Sequence, residues 1–271
     1  MSRRLAALAL LVVAACAAPA WAAPPPRLAV IIDDVGNNLA EGLLAASLPA
    51  PATLAILPRT PYAVRLARAA HRAGKQVMLH QPMQSMDGEA PGPGAITLHM
   101  TRHTVLSTLR RNIASIPYVA GVNNHMGSLV TRHPGHMTWV MDELRREGGL
   151  FFVDSRTDYR TVAELVAREE GVPVARRDVF LDNDLSPRAI AEQLHRAAQQ
   201  ARGQGYAIAI GHPHPQTLEV LKEQLPRLAD AGIQLVPASR IVELERNDRQ
   251  EVPLWHASLS PSPKAAKSSK P

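Results

Sequence analysis

The sequence predicts an α/β fold: one domain with a parallel sheet of about eight strands, open or closed. Short apolar runs recur along the chain, and helical periodicity follows most of them. This is the pattern of buried parallel strands joined by helices. The chain has 271 residues, of which 46% are hydrophobic, enough for one large core. Because parallel strands bring their carboxyl ends to one face, polar residues at those ends are expected to meet.

The predicted strands are the apolar runs themselves. A parallel strand covered by helices on both faces shows no polar alternation. The runs are Leu28–Ile32, Thr53–Leu57, Gln76–Leu79, Val119–Val122, Leu150–Val153, Val172–Val174, Ala207–Ile210 and Ile233–Val236.

Proline, serine and glycine mark the ends of the predicted helices. Pro61 lies in the first turn of one helix, where its missing N–H costs nothing, and Gly74 follows that helix as a left-handed cap. Ser186 and Pro187 supply the N-cap and first residue of another helix. The predicted helices are Leu39–Ser47, Pro61–Arg72, Thr101–Ser115, Ser186–Arg202 and Thr217–Ala231.

Both ends of the chain are predicted to lie outside the domain. Residues 1–22 have a basic start, an apolar stretch too short to span a bilayer and a small-residue cleavage site at Ala22, which is the order of a signal peptide. Cys16 also follows small residues, so a lipoprotein signal is the alternative. Either route predicts a periplasmic or secreted protein without a transmembrane span after signal cleavage. The domain is assigned to residues 23–247, and a polar, disordered tail to residues 248–271.

Composition and motifs exclude several classes of function. The net charge is +6, but part of the basic excess lies in the two terminal segments, and aromatic residues make up only 4% of the chain. A nucleic-acid partner is therefore not expected, because such proteins cluster Lys and Arg with aromatics. The single cysteine leaves the mature domain without a disulfide or a Cys-based metal site. The sequence has no phosphate-binding glycine-rich loop and no G-x-S-x-G motif. P-loop proteins, dinucleotide-binding proteins and serine hydrolases are therefore excluded.

Two adjacent carboxylates end the first predicted strand. Asp33 and Asp34 would repel each other there unless a cation or a proton lies between them. Neighbouring residues of a strand point to opposite sides, so one carboxylate could bind a metal while the other acts as a base. The alternative is that the pair only caps the helix that follows.

Imidazoles and amides end two further strands. His80 follows the third strand, and Asn123, Asn124 and His125 follow the fourth. Neutral imidazole is the commonest metal ligand, which makes the two histidines candidate ligands beside Asp34. A turn of this composition could instead satisfy only backbone groups.

The later strands end in His212 and His214, and in Asp154. The prolines around the two histidines stiffen their loop, and a fixed imidazole at the rim of a cleft suits a general acid, with His212 preferred. Asp154 is expected to orient an imidazole or to contact substrate, with helix capping as the alternative. The acidic segment from Asp178 to Asp184 is interpreted as a solvated loop.

Five motifs in order resemble the divergent branch of the polysaccharide deacetylase family. The resemblance covers roughly residues 27–242 and implies a distorted (β/α) barrel of about seven or eight strands. It also implies a divalent metal, usually zinc, held by one Asp and two His, a base Asp beside the ligand Asp, and a late-chain His acid. The motifs are IIDDVGNN, LHQPM, GVNNHMGSLVT, FFVDSRT and AIAIGHPHP.

When the family's roles are transferred to the matching residues, the resemblance implies that Asp34 is a metal ligand, Asp33 the base and His212 the acid. Ordinary members have both metal histidines four residues apart, whereas the residue four after His80 is Gln84. The second imidazole must then come from elsewhere, and His125 is the best candidate.

The expected function is that of an exported, metal-dependent hydrolase, most simply a deacetylase that removes N-acetyl groups from a cell-envelope polysaccharide such as a peptidoglycan-like glycan. Asn124, Asp154 and His214 are the candidate substrate-binding residues. One alternative is a non-catalytic envelope protein that binds glycan or a protein partner through the same cleft. Another is a metal-dependent glycosidase or phosphodiesterase; a glycosidase would pair Asp33 with Asp154 or Asp182 across the cleft.

Overall fold

The computed structural model describes residues 24–251 as one parallel sheet surrounded by helices. The predicted signal segment with Cys16 and the tail beyond residue 251 lie outside the described residues. Within the described residues, no helix is both long and apolar enough to cross a membrane. The strands are β1 (Arg27–Val35), β2 (Thr53–Ile56), β3 (Gln76–Met83), β4 (Val119–Met126), β5 (Phe151–Asp154), β6 (Val174–Arg176), β7 (Val179–Phe180), β8 (Tyr206–Gly211) and β9 (Gln234–Leu235).

The helices cover the outer face of the sheet, except for the last one. They are α1 (Leu39–Ala46), α2 (Ala63–Arg72), α3 (Arg102–Ala114), α4 (Pro134–Glu147), α5 (Ala163–Glu169), α6 (Pro187–Gln204), α7 (Pro215–Asp230) and α8 (Ala238–Glu251), with a short 3-10 helix at Val130–Arg132.

The sheet curves into a half-barrel. Its strand order is β6-β5-β4-β3-β2-β1-β8-β7, β9 pairs with β1, and the pairings between these strands are parallel. β6 and β7 form the two edges. The prediction of a single-domain, distorted parallel barrel is thus confirmed.

Alternation along the strands divides the apolar residues into two cores. In β1, Leu28 and Val30 face the outer helices, whereas Ala29 and Ile31 face the concave interior. The interior core is completed by α8, whose Ile241 belongs to it. The first backbone N–H groups of α8 bond to side chains at the amino ends of β2 and β3, so this helix closes the end of the half-barrel opposite the carboxyl ends.

The same alternation aims polar side chains into the open end of the interior. Asp33 continues the inward set of β1, and His80 lies two residues after the inward Met78 of β3. Asn123 lies opposite the inward Val153 in the β4–β5 register. The interior is therefore apolar at its closed end and polar at its open end.

Several elements differ from the sequence-based prediction. β1, β3 and β4 extend through the polar residues that were expected to end them, because those side chains bond to one another and need no loop. The two-residue strand β7 and the helices α4, α5 and α8 had not been predicted, and α8 continues past the expected start of the tail at residue 248.

Candidate functional site

Three side chains from three strands meet at the open end of the half-barrel. Asp34 Oδ1 lies 2.8 Å from His125 Nδ1 and 3.1 Å from His80 Nε2. The two ring nitrogens are 3.2 Å apart. We call these residues the Asp34 cluster. The sequence predicted only that each of the three follows a strand, and the structure shows that their side chains are in contact.

The geometry of the Asp34 cluster fits a divalent metal ion. Ligand atoms about 2 Å from a tetrahedral Zn²⁺ lie about 3.3 Å from one another, close to the three separations found here. Asp34 Oδ1 is buried, and neither of its two ring-nitrogen contacts has the geometry of a hydrogen bond, an unfavourable state for a carboxylate oxygen that a cation would relieve. One carboxylate and two imidazoles also match the donor types of catalytic zinc sites, which leave a fourth position open.

Asn123 fixes the orientation of His80. His80 Nδ1 lies 2.8 Å from Asn123 Oδ1, which can only accept a hydrogen bond. In the neutral ring the proton is therefore on Nδ1, and Nε2 turns its lone pair toward the cluster. This is the arrangement that usually orients metal-binding histidines. Burial favours this neutral ring, but Asp33 and Asp34 outweigh it and raise the pKa of His80. The Asn123 amide then donates to Asp33 Oδ1 at 2.8 Å and to Ser155 Oγ at 3.2 Å.

Asp33 is a buried carboxylate next to the cluster. Its side chain is 5% exposed, and Oδ2 lies 3.6 Å from His80 Nε2. Burial raises the pKa of Asp33, although the charges of His80 and His212 and the Asn123 hydrogen bond oppose the rise. Asp33 is thus closer than an ordinary aspartate to the neutral range in which a carboxylate exchanges protons.

Asp34 differs from Asp33 in both conformation and charge. Its backbone has a φ of 56°, in the left-handed region, which turns its side chain out of the strand alternation and toward the two imidazoles. Burial alone would raise the pKa of Asp34, but the adjoining His125 and His80 outweigh it and hold the pKa below its usual range. Asp34 is therefore ionised at neutral pH, as a metal ligand must be.

His212 approaches from the opposite side of the site, after β8. Its Nε2 lies 3.8 Å from Asp34 Oδ2, and its Nδ1 lies 3.0 Å from Asp182 Oδ1. Asp182 Oδ2 also accepts from the His212 backbone N–H at 2.6 Å and from Thr217 Oγ1 at 2.8 Å. Burial lowers the pKa of His212, but Asp182 and the other nearby carboxylates outweigh it and raise the pKa to about 9.

The structure corrects the prediction for Asp182 and shows that Asp154 does not orient His212. Asp182 was expected in a solvated loop, yet it is only 6% exposed and orients His212. Asp154 does not contact His212. Its two oxygens accept from the Arg156 backbone N–H and from Thr161 Oγ1, both at 2.8 Å. Asp154 therefore holds the loop after β5.

These bonds also weaken the alternative of a glycosidase. That reaction needs a second free carboxylate facing Asp33 across the cleft. The oxygens of Asp154 and of Asp182 are already held by the loop after β5 and by His212 with Thr217, respectively. Both carboxylates thus already have structural partners within the protein.

The other two predicted substrate contacts lie at the edges of the site. The Asn124 side chain accepts from the Ser155 N–H and donates to the Met126 carbonyl, so its amide ties β4 to the loop after β5. His214 is exposed, and its ring centre lies 5.8 Å from that of His212. Asp182, His212 and His214 also form a second group whose ligand atoms lie within 4.8 Å of one another.

Arg177 supports the site but was not found in the sequence. Its guanidinium donates to the carbonyl oxygens of Ser155 and Arg156 and lies 5.0 Å from the centre of the Phe180 ring. Burial lowers the pKa of Arg177, and Asp154 and Asp33 partly oppose this. The apolar pattern around Arg177 is too short to mark a strand, so the sequence held no clear signal for it.

The chain as a whole resembles a family of known proteins. A model of divergent polysaccharide deacetylases matches residues 30–242. The chain is 35% identical over 227 residues to the uncharacterized protein YibQ of Escherichia coli, covering 84% of this chain and 70% of that protein. It is 38% identical over 210 residues to an uncharacterized protein of Haemophilus influenzae, covering 78% of this chain and 74% of that protein.

Solved structures share the fold. An uncharacterized protein from Agrobacterium tumefaciens matches with a TM-score of 0.77 at 23% identity, over 81% of this chain and 90% of that one. The catalytic domain of a peptidoglycan N-acetylglucosamine deacetylase from Eubacterium rectale matches with a TM-score of 0.52 at 13% identity, over 79% and 89% of the two chains. The extent of the family match and the identity to both relatives show that the chain belongs to the divergent polysaccharide deacetylase family.

Proposed function

We propose that this protein is an exported, metal-dependent deacetylase that removes N-acetyl groups from a cell-envelope polysaccharide. The observation that supports this best is the placement of two acid–base groups around the Asp34 cluster. Asp33 adjoins the cluster within 3.6 Å, and His212 adjoins it within 3.8 Å from the other side. Membership of the polysaccharide deacetylase family points to the same chemistry.

In this proposal, Asp34, His80 and His125 hold one divalent ion, and their nitrogen and oxygen donors favour Zn²⁺. When bound, the ion polarises the acetamido carbonyl and lowers the pKa of a water molecule. The left-handed turn at Asp34 and the hydrogen bond from His80 to Asn123 fix two of the three ligands before the ion arrives.

Asp33 acts as the general base. Its carboxylate takes a proton from the attacking water, whose oxygen forms a bond to the acetyl carbon. The raised pKa that burial gives Asp33 strengthens it as a base. The hydrogen bond from Asn123 keeps Oδ1 in place, so that Oδ2 faces the cluster.

His212 acts as the general acid. Asp182 keeps it protonated at neutral pH, since the pKa of His212 is about 9. Its Nε2 donates the proton to the amide nitrogen as the C–N bond breaks, which releases acetate and leaves a free amine on the sugar. Asp182 also fixes the ring with a hydrogen bond at Nδ1, so that only Nε2 faces the cleft.

Acetate release from N-acetylated glycans, paired with elemental analysis, tests this proposal. The purified protein is expected to contain about one metal ion per chain and to release acetate. The substitution Asp33→Asn keeps the metal ligands and is expected to lower the rate about 10²–10⁴-fold. Asp230→Asn, which alters an exposed carboxylate at the end of α7, is the matched control and should change neither the metal content nor the rate.

Two results would overturn the proposal. A metal-loaded protein that binds glycans but releases acetate from none of them is a binding protein, for which Asp33→Asn has no effect. A protein that retains full activity in Asp33→Asn hydrolyses by another route. Export is tested separately by mass spectrometry of the mature amino terminus, where a start at residue 23 or a lipidated Cys16 supports it and an intact Met1 contradicts it.

A further inference from the structure

A pocket of about 290 Å³ opens beside the Asp34 cluster. One wall is the loop after β2, over residues 57–61, and the other is the proline-rich loop over residues 90–93. His125 and Pro82 lie between the two walls. Since His125 also belongs to the cluster, any group in this pocket adjoins the position of the acetamido group. We call it the Arg59 pocket.

The walls of the Arg59 pocket are rigid. Five of its twelve lining residues are prolines, whose fixed φ limits backbone motion. The proline-rich loop is tied down where it returns to the sheet, because the Gly94 carbonyl accepts from Gln81 at 3.0 Å and from Asn112 at 2.8 Å. A pocket formed in advance in this way loses little entropy when it binds a ligand.

The loop after β2 is also held by close contacts. A Cβ on Gly36 would lie 2.2 Å from Thr60 Oγ1, so the loops after β1 and β2 pack together at a distance that only glycine permits. The Tyr62 N–H also donates to the Gly36 carbonyl at 3.1 Å. On the other side of Arg59, the Leu57 N–H donates to the Val35 carbonyl at 2.9 Å. Arg59 therefore lies between residues that are held to β1 and to the loop after it, which fixes its backbone position.

Arg59 gives the pocket a positive charge that no protein group neutralises. Within residues 24–247, its exposed guanidinium has no ion pair or hydrogen bond. The lining residues include no aspartate or glutamate, and the prolines have no N–H to offer. Hydrogen-bond donors to a ligand must then come mainly from the side chains of Arg59 and Asn37. By contrast, Arg160 near the site is already paired with Asp158.

The backbone of Arg59 supports a role for this side chain in binding. It has a φ of 59°, in the left-handed region that glycine or asparagine occupies at lower cost. Strained non-glycine residues concentrate at functional sites.

We propose that the Arg59 pocket binds a sugar residue that bears a carboxylate, next to the N-acetylated residue at the Asp34 cluster. The guanidinium pairs with the carboxylate in the two-pronged geometry that arginine favours. The volume is slightly below the usual range for small-molecule sites, about 300–1,000 Å³, which suits one sugar ring rather than a longer chain. The inference rests on the proposed function and specifies its substrate class as acidic N-acetylated glycans.

Binding and turnover test the inference separately. Calorimetry uses Zn²⁺-loaded protein carrying Asp33→Asn, which prevents turnover. The probes are oligosaccharides of N-acetylglucosamine alone, the same sugar alternating with a lactyl-bearing sugar, and the same sugar alternating with a uronic acid. Methyl esters of the two acidic probes serve as their neutral counterparts.

At least one acidic probe is expected to bind about 10- to 100-fold more tightly than its ester, the range for a hydrogen-bonded charge pair. Adding Arg59→Gln should abolish that difference and change the binding of the neutral oligomer by less than about threefold. The lactyl and uronic acid probes decide which source of carboxylate is bound. Arg65→Gln, an exposed arginine of α2 outside the pocket, is the matched control and should leave the difference intact.

Equal binding of the acidic probes and their esters overturns the inference. So does an equal loss in Arg65→Gln, which would indicate only general attraction to a basic surface. The kcat/KM for acetate release, measured with Asp33 intact, follows the same pattern if the proposed function also holds. Protein that discriminates the acidic probes but releases no acetate supports the pocket and overturns the deacetylase.

Discussion

The two sides of the site use the same residue types in opposite ways. On one side, Asp34, His80 and His125 bring three ligand atoms within 3.2 Å of one another, and neither ring nitrogen contacts Asp34 Oδ1 with the geometry of a hydrogen bond. On the other side, both oxygens of Asp182 are held, one by His212 Nδ1 and the other by the His212 N–H and Thr217. The difference lies in hydrogen bonding.

That difference separates the binding of an ion from the binding of a proton. Converging lone pairs without donors need a cation between them, because close acceptors repel. A carboxylate with its full set of donors has no such need, and it stabilises the positive charge on the imidazole beside it. An aspartate and a histidine in contact thus have different functions according to the donors around the aspartate.

Removal of the ligand Asp34 should reduce both metal content and activity more than any other substitution proposed here. Asp34→Ala removes the only carboxylate of the cluster, and the bound metal should fall from about one per chain to a trace. Acetate release should fall by at least about 10³-fold, since a catalytic metal supplies several kcal/mol of transition-state stabilisation. Elemental analysis and an acetate assay measure the two losses.

Exposed His214 provides the control for this experiment. His214→Ala should retain the metal, because His214 is not part of the Asp34 cluster. If His214→Ala lost the metal while Asp34→Ala kept it, the ion would belong to the second group, Asp182, His212 and His214. The assignment of the two sides would then be reversed.

Breaking the proton-binding side should leave the metal in place. Asp182→Asn removes the charge that helps to raise the pKa of His212 to about 9. The activity needs protonated His212, so it is present below this pKa and lost as the pH rises through it. In Asp182→Asn, the fall in activity on the alkaline side of the pH–rate profile (its alkaline limb) should move to lower pH by about 1–3 units. The rate should also fall about 10²–10⁴-fold.

The metal content measured in parallel distinguishes the two sides. A loss of metal in Asp182→Asn would show that the carboxylate acts on the cluster rather than on His212. An alkaline limb at the wild-type position would show that another group donates the proton. Thermal unfolding monitored by circular dichroism checks that the variant is folded.

A smaller effect is expected from the amide that links Asp33 to the cluster. Asn123→Ala removes the acceptor that keeps the His80 proton on Nδ1 and the donor to Asp33 Oδ1. Loss of such an orienting partner typically weakens metal binding about 10–100-fold. Competition with a chelator measures this, and an unchanged affinity would mean that packing alone orients His80.

The ion-binding side could be predicted from the sequence, and the reason is geometric. Asp33 and His80 fall on inward positions of neighbouring parallel strands, so the alternation that fixes the core also fixes their direction. His125 follows from the same rule that carboxyl ends of parallel strands meet. The structure brings these residues and His212 to one point, while their assigned roles stay predictions.

The proton-binding side was harder to predict, because its partner lacks a local signal. Asp182 follows β7, a strand of only two residues, within a segment as acidic as a solvated loop. Asp154 has the stronger pattern, at the end of a clear apolar run, but capping and catalysis use the same residue type there. Only the tertiary contact of Asp182 with β8 distinguishes the two.

The charge of Asp154 is expected to have little effect on His212. In Asp154→Asn, the side-chain oxygen can still accept from the Arg156 N–H, and the new amide can donate to Thr161 Oγ1, so the loop after β5 should stay in place. The rate should change by less than about threefold, because the site loses no acid–base group. Its alkaline limb should coincide with that of the wild type, whereas that of Asp182→Asn does not. A shifted limb in Asp154→Asn would mean that the charge of Asp154 reaches His212, and the orientation of the acid would then have to be divided between the two carboxylates.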